Sequence, residues 1–467
     1  MDKPKHSCGV VAIALDSDVI LSLKRGLRAI QHRGQESAGV AVFDEGIKYI
    51  RGMGLVHEIL CGREFSMLDG TVGIGHVRYS TSGTSAVQNC QPMVVTTSAG
   101  ELAIAHNGDI VNANKLRKKL QSDGWAFLTD TDSEIIIRIL ANELVEIGDP
   151  FRAIKNTMRK IDGAYSLTLM IEDRIFGVRD PMGFRPLAIG SLPDGYGIAS
   201  EDAVFDILKG HFIRDVEPGE IVEITSEGFT SAKMPRPVDR AACMFEWVYF
   251  ARPDSTIDGL EVFEARKAIG RQLAKEQPSD ADVVVAVPDS GRGHAVGYSE
   301  GSGIKYEEGL MKNRYIERTF ILPEQSAREE SVALKVNPIK STVRGKRVVL
   351  VDDSIVRGTT LRKIVQVVRR AGAREVHVRI GCPPIRAPCY YGVDMKTRDQ
   401  FVATNKTVDE IARELTANSL GYISIEGLVK ALGKPKGDLC LACLNGEYPT
   451  NVPGEKMRYQ QKLEVQY

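Results

Sequence analysis

VVLVDDSIVRGTTL, at Val348–Leu361, is the stretch that decides how the second half of this chain folds. Four apolar β-forming residues lead into Asp352 and Asp353, a Ser/Gly/Thr loop follows, and a helical pattern begins at Leu361. A continuous apolar strand is typical of a parallel sheet covered on both faces, and such sheets bind ligands beyond the carboxyl ends of their strands. Backbone N–H groups at the start of the helix would bind a phosphate. The two carboxylates would suit the hydroxyls of a ribose and a Mg²⁺ ion.

Two other interpretations fit parts of this stretch. An apolar strand that ends in acids also binds Mg²⁺ in P-loop ATPases, but those proteins need a GxxxxGK[ST] motif, which the sequence lacks. A plain strand with acids in its turn fits VVLVDD, but not the Gly-Thr-Thr that follows. The stretch resembles the signature of type I phosphoribosyltransferases. This resemblance implies that phosphoribosyl pyrophosphate (PRPP) is bound by Asp352, Asp353, Ser354, Arg357, Gly358, Thr359 and Thr360.

Composition places the chain among ordinary globular enzymes. It has 467 residues, long enough for two or three domains, and its 61 basic and 61 acidic residues give a net charge of zero. That balance argues against nucleic acid as the main partner. No run of 18 apolar residues and no signal-like N-terminus occurs, which predicts a cytoplasmic protein outside the membrane. In such a compartment eight cysteines indicate catalysis or metal binding before disulfides.

The first half alternates short β-rich segments with helical patterns. Helices are predicted at Val19–Ile30 and Ser133–Val145, the second opening with a capping box at Thr131–Glu134. This order predicts a layered α/β domain with antiparallel sheets. The predicted strands are Gly9–Leu15, Ala38–Phe43, Gly73–Tyr79, Leu102–His106, Tyr165–Met170 and Gly219–Thr225.

Cys8 is the candidate nucleophile of this half. A buried structural cysteine is the alternative. If residues 1–7 were removed, however, Cys8 would gain a free α-amine of pKa about 7.7–8.0, suited to act as its base. The motifs GHVRYSTSG at Gly75–Gly83 and HNGDI at His106–Ile110, with CGVVAI and HRGQESAG, resemble the glutaminase domain of class II, N-terminal nucleophile, amidotransferases. Their fold is an αββα sandwich, and the motif histidines are interpreted as packing or orienting groups.

The resemblance also implies a role for each matching residue of the glutaminase site. Cys8 would attack the glutamine amide to give a thioester and ammonia. Arg78 would bind the substrate α-carboxylate, because a guanidinium group matches a carboxylate with two hydrogen bonds. Asp132 would bind the α-ammonium group. Asn107 and the N–H of Gly108 would form the oxyanion hole.

A second apolar strand, ADVVVAVPDS at Ala281–Ser290, ends in an acid and a hydroxyl. Such strands alternate with helices, which predicts a doubly wound parallel sheet for the second half. The resemblance makes Ser290 a third Mg²⁺ ligand with Asp352 and Asp353. The helices of this half are predicted at Gly259–Glu276, Ala295–Ser302 and Leu361–Ala371.

The charge-rich segment Lys312–Lys340 lies between the two strands. It could be a solvated surface loop, as most such segments are. A pyrophosphate needs cations, however, and a long charged loop beside an active site is often a lid. We favour the lid, with phosphate contacts from Lys312, Arg314, Arg318, Lys335 and Lys340.

The C-terminal part contains a predicted capped amphipathic helix at Thr407–Leu420 and a CxxC pair at Cys440 and Cys443. One CxxC indicates a redox pair, half of a zinc site or chance, and the surrounding turns argue against the redox pair. The family resemblance adds Cys243 and Cys389, and implies a [4Fe-4S] cluster on four thiolates. Zinc on the same thiolates remains open. The choice of Cys389 over Cys382 rests on the resemblance alone.

Taken whole, and with the joining segment AACMFEWVYFARPDS at Ala241–Ser255, the chain resembles the amidophosphoribosyltransferase family, in its iron–sulfur, propeptide-processed form. The resemblance implies a propeptide at 1–7, a class II glutamine amidotransferase domain at 8–237, and a phosphoribosyltransferase domain at 238–467 with a C-terminal helical and cysteine-bearing segment. It also implies conversion of PRPP, glutamine and water to 5-phosphoribosylamine, glutamate and pyrophosphate, the first committed step of purine synthesis. Mg²⁺, purine nucleotide inhibitors and a homotetramer or other homo-oligomer are the implied cofactor and partners.

Two other functions share parts of this pattern. The aminotransferase that makes glucosamine 6-phosphate has a similar first half, but its second half lacks a VVLVDDSIVRGTT loop. A metabolite-binding regulator with a retained phosphoribosyltransferase fold would not need the Cys8 motifs, and this chain has no basic DNA-binding module.

Overall fold

The computed structural model describes residues 8–79, 84–234, 239–313, 336–395, 397–398 and 401–453. The predicted propeptide at 1–7 and the lid residues Arg314, Arg318 and Lys335 lie outside these residues. No helix within the described ranges combines the length and the apolar character that crossing a membrane requires.

The first half is built on two antiparallel sheets. The first sheet has the spatial order His211–Asp215, Ala188–Leu192, Gly195–Ala199, Gly9–Leu15, Val72–Arg78, Ser37–Phe43, Ile47–Met53. The second has the order Phe229–Lys233, Glu220–Ile224, Arg174–Arg179, Gly163–Ile171, Gly100–Ile110, Met93–Thr97.

These sheets pack face to face with helices on both outer sides. Side chains alternate between the two faces of a strand, so Val11 of Gly9–Leu15 packs with the helix Ile20–Ala29 while Val10 packs between the sheets. The helices Asp132–Ile147 and Pro150–Lys160 cover the second sheet. This arrangement confirms the predicted αββα fold. The other helices of this half are Val56–Ile59, Gly62–Ser66, Ala113–Ser122 and Ala203–Ile207, with a 3₁₀ turn at Val87–Asn89.

The predicted capping box at Thr131–Glu134 is wrong, although Thr131 is the N-cap. The Thr131 side chain makes no capping hydrogen bond. The Glu134 carboxylate instead accepts the backbone N–H groups of Leu128 and Thr129, at 3.0 and 2.7 Å. The preceding loop folds back over the start of the helix, so the loop amides occupy the carboxylate that a capping box would use.

The second half is a parallel sheet with the spatial order Val283–Ala286, Arg347–Asp352, Glu375–Ile380, Ser419–Tyr422. A single parallel bridge between Val284 and Tyr306 extends the sheet on its other side. The chain therefore runs outward in both directions from the gap between Val283–Ala286 and Arg347–Asp352. Right-handed crossovers then place the helices after these two strands on opposite faces, which is the predicted doubly wound topology.

Helices and short ribbons complete this half. The predicted helix Thr407–Leu420 is wrong at its end: it runs only over Val408–Glu414, because Thr416 takes a positive φ of 59° and Leu420 belongs to the last strand. The other helices are Val262–Glu276, Arg292–Ser302, Lys340–Val343, Thr359–Arg370, Ile425–Leu432 and Ala442–Asn445, with a 3₁₀ turn at Lys436–Asp438. The ribbons pair Ala242–Cys243 with Leu439–Cys440, Thr256–Ile257 with Leu260–Glu261, and Leu310–Lys312 with Val336–Pro338.

A π-helical turn at Glu246–Phe250 joins the halves and is buried between them. The Glu246 carboxylate accepts hydrogen bonds from Arg33 of the first half at 2.8 and 2.9 Å, and from Arg185 at 3.2 Å. Both guanidinium groups are buried completely. One carboxylate in the joining segment therefore pairs with two buried cations of the first half.

Glu246→Ala should lower the free energy of unfolding by about 3–5 kcal/mol, because it leaves the buried Arg185 without its carboxylate partner and Arg33 with Glu201 alone. The measurement is urea denaturation followed by tryptophan fluorescence. Glu217→Ala is the control, because its ion pair with Lys233 is exposed and should contribute little. An equal unfolding midpoint for the two variants would contradict this role for Glu246.

Candidate active sites

Cys8 lies at the start of the strand Gly9–Leu15 and is almost completely buried. Its Sγ is 3.5 Å from the carbonyl oxygen of Tyr79, and its own carbonyl accepts a hydrogen bond from Arg33 Nε at 3.2 Å. A Cβ on Gly9 would lie 2.7 Å from Ile30 Cδ1, so any larger residue would require the Ile30 side chain to move. Burial raises the pKa of the Cys8 thiol, while the Tyr79 backbone and Arg78 oppose the increase.

The two residues predicted to bind glutamine lie close to Cys8. Gly9 pairs with Val77, so Arg78 ends the neighbouring strand beside Cys8. Asp132, at the N-terminus of the helix Asp132–Ile147, accepts the backbone N–H of Ile110 at 3.1 Å. Both charges act on the Cys8 thiol: Arg78 lowers its pKa and Asp132 raises it. The structure therefore brings a cation and an anion together around Cys8, as an amino acid substrate would require.

Asn107 and Gly108 lie on the second sheet, in the strand Gly100–Ile110. The Asn107 side chain is fully buried, and neither its nitrogen nor its oxygen has a hydrogen-bond partner among the described residues. A buried polar group without a partner costs about 1–3 kcal/mol. Gly108 has a φ of +149°, and a Cβ there would lie 2.0 Å from the Ala164 carbonyl oxygen. A ligand oxygen would relieve the cost at Asn107.

The two motif histidines are buried and bind protein groups. His76 Nε2 is 3.0 Å from the carbonyl oxygen of His106, and burial lowers the pKa of His76 to about 3. His106 Nδ1 is 3.2 Å from Ser133 Oγ and 3.7 Å from Asp132 Oδ1. Burial also lowers the pKa of His106. Both imidazoles therefore orient their neighbours, which supports the interpretation drawn from the motifs.

Buried polar residues that the sequence did not single out complete the site. Gln91 donates to Ser133 Oγ at 3.0 Å and accepts the His106 N–H at 2.7 Å. Arg33 also binds Glu201 at 2.5 Å. The one signal for Arg33 was its place in the motif HRGQESAG, and Gln91 and Glu201 carried none.

In the second half, Asp352 and Asp353 end the strand Arg347–Asp352 and are buried. The Asp353 N–H donates to Asp352 Oδ1 at 2.9 Å, and Ser354 Oγ donates to Asp353 Oδ2 at 2.7 Å. Gly358, with a φ of +82°, directly precedes the helix Thr359–Arg370. The predicted loop therefore points a helix N-terminus outward beside two carboxylates. Arg357 and Thr359 are exposed there, and Thr360 is partly exposed.

Ser290 follows the neighbouring strand and lines a cavity of about 370 Å³ with Arg266 and Phe263. Ala286 pairs with Val351, so the Ser290 loop and Asp352 lie at adjacent strand ends, where the direction of the chain reverses. Lys312 Nζ donates to Asp289 Oδ2 at 2.7 Å, at the end of a short ribbon. Lys340 is exposed at the start of the helix Lys340–Val343.

Arg266 is a buried cation beside the two carboxylates. Its guanidinium donates to the carbonyl oxygens of Trp247 at 2.9 Å and Ala251 at 2.8 Å. Burial lowers the pKa of Arg266 to about 10 and nearby Asp353 opposes the shift, so the group is charged at neutral pH. Nothing in the sequence distinguished it from other charged residues of the amphipathic helix Val262–Glu276.

The four predicted cluster cysteines lie near one another, and Cys243 is part of the joining segment itself. Cys243 pairs with Cys440 in a parallel ribbon, and all six pairs among the four thiols interact electrostatically. Cys382 interacts with Cys243 and Cys443 of this set. Burial raises the pKa of all four thiols, to about 11 for Cys243. In the described part of the chain, no three His, Cys, Asp or Glu side chains stand in a metal-binding arrangement.

Two domain families match the chain in the order of its halves. Residues 76–206 match the glutamine amidotransferase domain, and residues 259–410 match the phosphoribosyl transferase domain. The first range contains Arg78, Asn107, Gly108 and Asp132 but not Cys8, and the second contains Ser290, Asp352 and Asp353.

Whole-length relatives and solved structures agree with that division. The amidophosphoribosyltransferase of Methanocaldococcus jannaschii is 53% identical over 96% of this chain and 99% of its own length. That of Bacillus subtilis is 43% identical over 96% and 95%. A structure of glutamine PRPP amidotransferase from B. subtilis complexed with ADP and GMP superposes with a TM-score of 0.89, at 42% identity over 96% of this chain and 98% of that one. A structure of the allosteric regulatory enzyme of purine biosynthesis gives 0.90, at 43% identity over 96% and 97%. With both domains and nearly its entire length matched at these identities, the chain belongs to the amidophosphoribosyltransferase family.

Proposed function

We propose that each half of the chain carries one step of the family's reaction, with glutamine hydrolysed at Cys8 and its ammonia used beside Asp352 and Asp353. The observation that carries the proposal is the pairing of an amino acid site, formed by Arg78 and Asp132, with a phosphate-binding loop at a topological switch point. We propose boundaries of 8–237 and 238–467 for the two domains. The overall conversion is of PRPP, glutamine and water to 5-phosphoribosylamine, glutamate and pyrophosphate.

In the first step the Cys8 thiolate attacks the amide carbon of glutamine and forms a tetrahedral intermediate. Asn107 Nδ2 and the Gly108 N–H donate to its oxyanion, which is supported by the unpartnered side chain of Asn107. The α-amine of Cys8, which took the thiol proton, gives it to the leaving nitrogen as the C–N bond breaks, and ammonia departs. Water then hydrolyses the thioester to glutamate and regenerates the thiol. Arg78 and Asp132 hold the α-carboxylate and α-ammonium groups throughout.

In the second step ammonia attacks the anomeric carbon of PRPP and pyrophosphate leaves. Asp352 and Asp353 would hold the ribose hydroxyls, and Ser354, Arg357, Gly358, Thr359 and Thr360 would bind the 5-phosphate at the helix N-terminus. Ser290, Asp352 and Asp353 offer the oxygen ligands that Mg²⁺ prefers. Bound Mg²⁺ supplies positive charge that stabilises the departing pyrophosphate. Lys312 would release Asp289 and contact the phosphates. Arg314 would also contact the phosphates.

The remaining properties follow from the family and from the cysteines. The B. subtilis relative is complexed with ADP and GMP, and we extend purine nucleotide inhibition and a homo-oligomeric state to this chain. All eight cysteines are free of disulfides, which fits a reducing compartment such as the cytoplasm. The convergence of Cys243, Cys389, Cys440 and Cys443 supports a [4Fe-4S] site over an isolated CxxC pair.

The mature enzyme should begin at Cys8, because a preceding peptide bond would occupy the α-amine that acts as base. Glutamine hydrolysis should then increase with pH through about 8, as that amine loses its proton. Burial raises the pKa of the Cys8 thiol, so without the free amine as base, activity would need a higher pH. Intact-mass analysis of active enzyme decides the point. Full activity with Met1–Ser7 still attached would overturn it.

Cys440→Ser and Cys443→Ser should give iron-poor, weakly folded protein, because the cluster would cross-link distant segments and its binding energy would be folding energy. Iron, acid-labile sulfide and thermal unfolding are the measurements. Cys61→Ser is the control, because that residue is exposed. Cys389→Ser should lose iron and Cys382→Ser should keep it. Colourless, iron-free wild-type protein with full activity would refute the cluster.

Cys8→Ala should lower glutamine-dependent synthesis by several orders of magnitude, because no thioester can form. It should keep synthesis from concentrated ammonium salts at raised pH, where free NH₃ is available. Asp352→Ala with Asp353→Ala should abolish both activities, because each needs PRPP held in place. Pyrophosphate release is the readout. Equal loss of both nitrogen sources in folded, PRPP-binding Cys8→Ala would show that donor and acceptor sites are misassigned.

A further inference from the structure

A turn of the phosphoribosyl half packs directly on the backbone of Gly108 in the glutaminase half. This turn, Cys389–Gly392, contains Gly392 with a φ of +93°. A Cβ built on Gly392 would lie 2.9 Å from both Cα and C of Gly108, closer than real Cβ atoms come to backbone. The two glycines are therefore in backbone contact, with no room for a side chain between them.

Gly108 is enclosed on its other side as well. It pairs with Tyr165 in the second sheet, and a Cβ on Gly108 would lie 2.0 Å from the Ala164 carbonyl oxygen. The Gly108 backbone is thus held between a strand of its own half and a turn of the other half. A displacement of the turn by a few tenths of an ångström would pass directly to the Gly108 peptide.

Buried hydrogen bonds fix the position of the turn. The Tyr391 carbonyl accepts from Arg185 Nη2 at 2.6 Å and from Arg185 Nε at 3.1 Å, and the Tyr391 ring stacks on Phe184 at 4.3 Å. Arg185 also binds Glu246, which binds Arg33, and Arg33 Nε donates to the Cys8 carbonyl. One chain of buried contacts therefore holds both the nucleophile and the turn that presses on Gly108.

We infer that the Cys389–Gly392 turn is a positioning element of the glutaminase site. It holds the Gly108 N–H in the direction of the developing oxyanion. The inference rests on the proposed role of Gly108. The turn touches no substrate, and acts by fixing a donor that must stand about 2.7–3.1 Å from the oxyanion. Its effect should appear in the transition state and be almost absent from glutamine binding.

Gly392→Ala tests this inference, with PRPP present throughout. We expect kcat for glutamine hydrolysis to fall by about 10- to 100-fold, with KM for glutamine changed by less than about 2-fold and ammonia-dependent synthesis retained. The second readout is inhibition by glutamate γ-semialdehyde. The Cys8 thiol adds to its aldehyde carbon, and the resulting thiohemiacetal places an oxygen at the oxyanion position. Its inhibition constant should rise by the same factor by which kcat/KM falls.

Gly303→Ala is the matched control, because Gly303 has a φ of +75° and open space around it. Gly303→Ala should introduce backbone strain without lowering kcat for glutamine hydrolysis or raising the inhibition constant of the aldehyde. Asn107→Ala separates the inference from the proposed function. If Asn107→Ala alters neither hydrolysis nor aldehyde binding, the oxyanion assignment itself fails. If Asn107→Ala weakens both and Gly392→Ala weakens neither, only the role of the turn is refuted.

Arg185→Lys decides the case in which Gly392→Ala also loses ammonia-dependent synthesis. Lysine keeps the positive charge beside Glu246 but cannot donate twice to the Tyr391 carbonyl. Selective loss of glutamine hydrolysis and of aldehyde affinity in Arg185→Lys would support the inference. Unchanged hydrolysis would overturn the inference, because the hydrogen bonds that hold the turn would then not affect the glutaminase site. Equal loss of synthesis from both nitrogen sources would also overturn it, because the turn would then serve the fold as a whole.

Discussion

The buried carboxylate of Glu246 is the interaction on which the arrangement of the two halves depends. It stands in the joining segment and pairs with Arg33 and Arg185, which are buried too deeply to be stable as unpaired charges. Arg33 continues to the carbonyl of Cys8. The same turn also contacts the second half. The carbonyl oxygens of Trp247 and of Ala251, which follows the turn, accept hydrogen bonds from Arg266. The joining segment therefore supports both candidate sites.

That support explains how two adjacent carboxylates can be buried in the second site. Asp352 and Asp353 are buried, and two like charges close together in a buried site are energetically costly. Arg266 places a positive charge beside Asp353, and Ser354 donates a hydrogen bond to it. The pocket is thus partly neutralised in the absence of any ligand. The carbonyl oxygens that hold Arg266 belong to the joining segment, so the charge balance of this site depends on the fold of that segment.

The sequence predicted those parts of the structure whose signals are local. The strand Gly9–Leu15 has the predicted bounds, and the strand, loop and helix around Asp352 were recognised from their pattern alone. Long-range partners were not predictable in this way. Nothing local indicates that Glu246 meets Arg33, or that Cys243 lies beside Cys440. The helix at Val408–Glu414 was predicted too long, because apolar spacing continues into a strand that only the sheet defines.

The parallel pairing of Ala242–Cys243 with Leu439–Cys440 has a consequence for biosynthesis. The first strand residues of the second half can find their partner only after almost the entire chain has left the ribosome. The central sheet strand Gly9–Leu15, in contrast, finds all its partners by residue 199. The first half can therefore fold during translation, since domains generally fold as units from the N-terminus. The strand Ala242–Cys243 must wait unpaired until Leu439–Cys440 is made, so the four cysteines come together last.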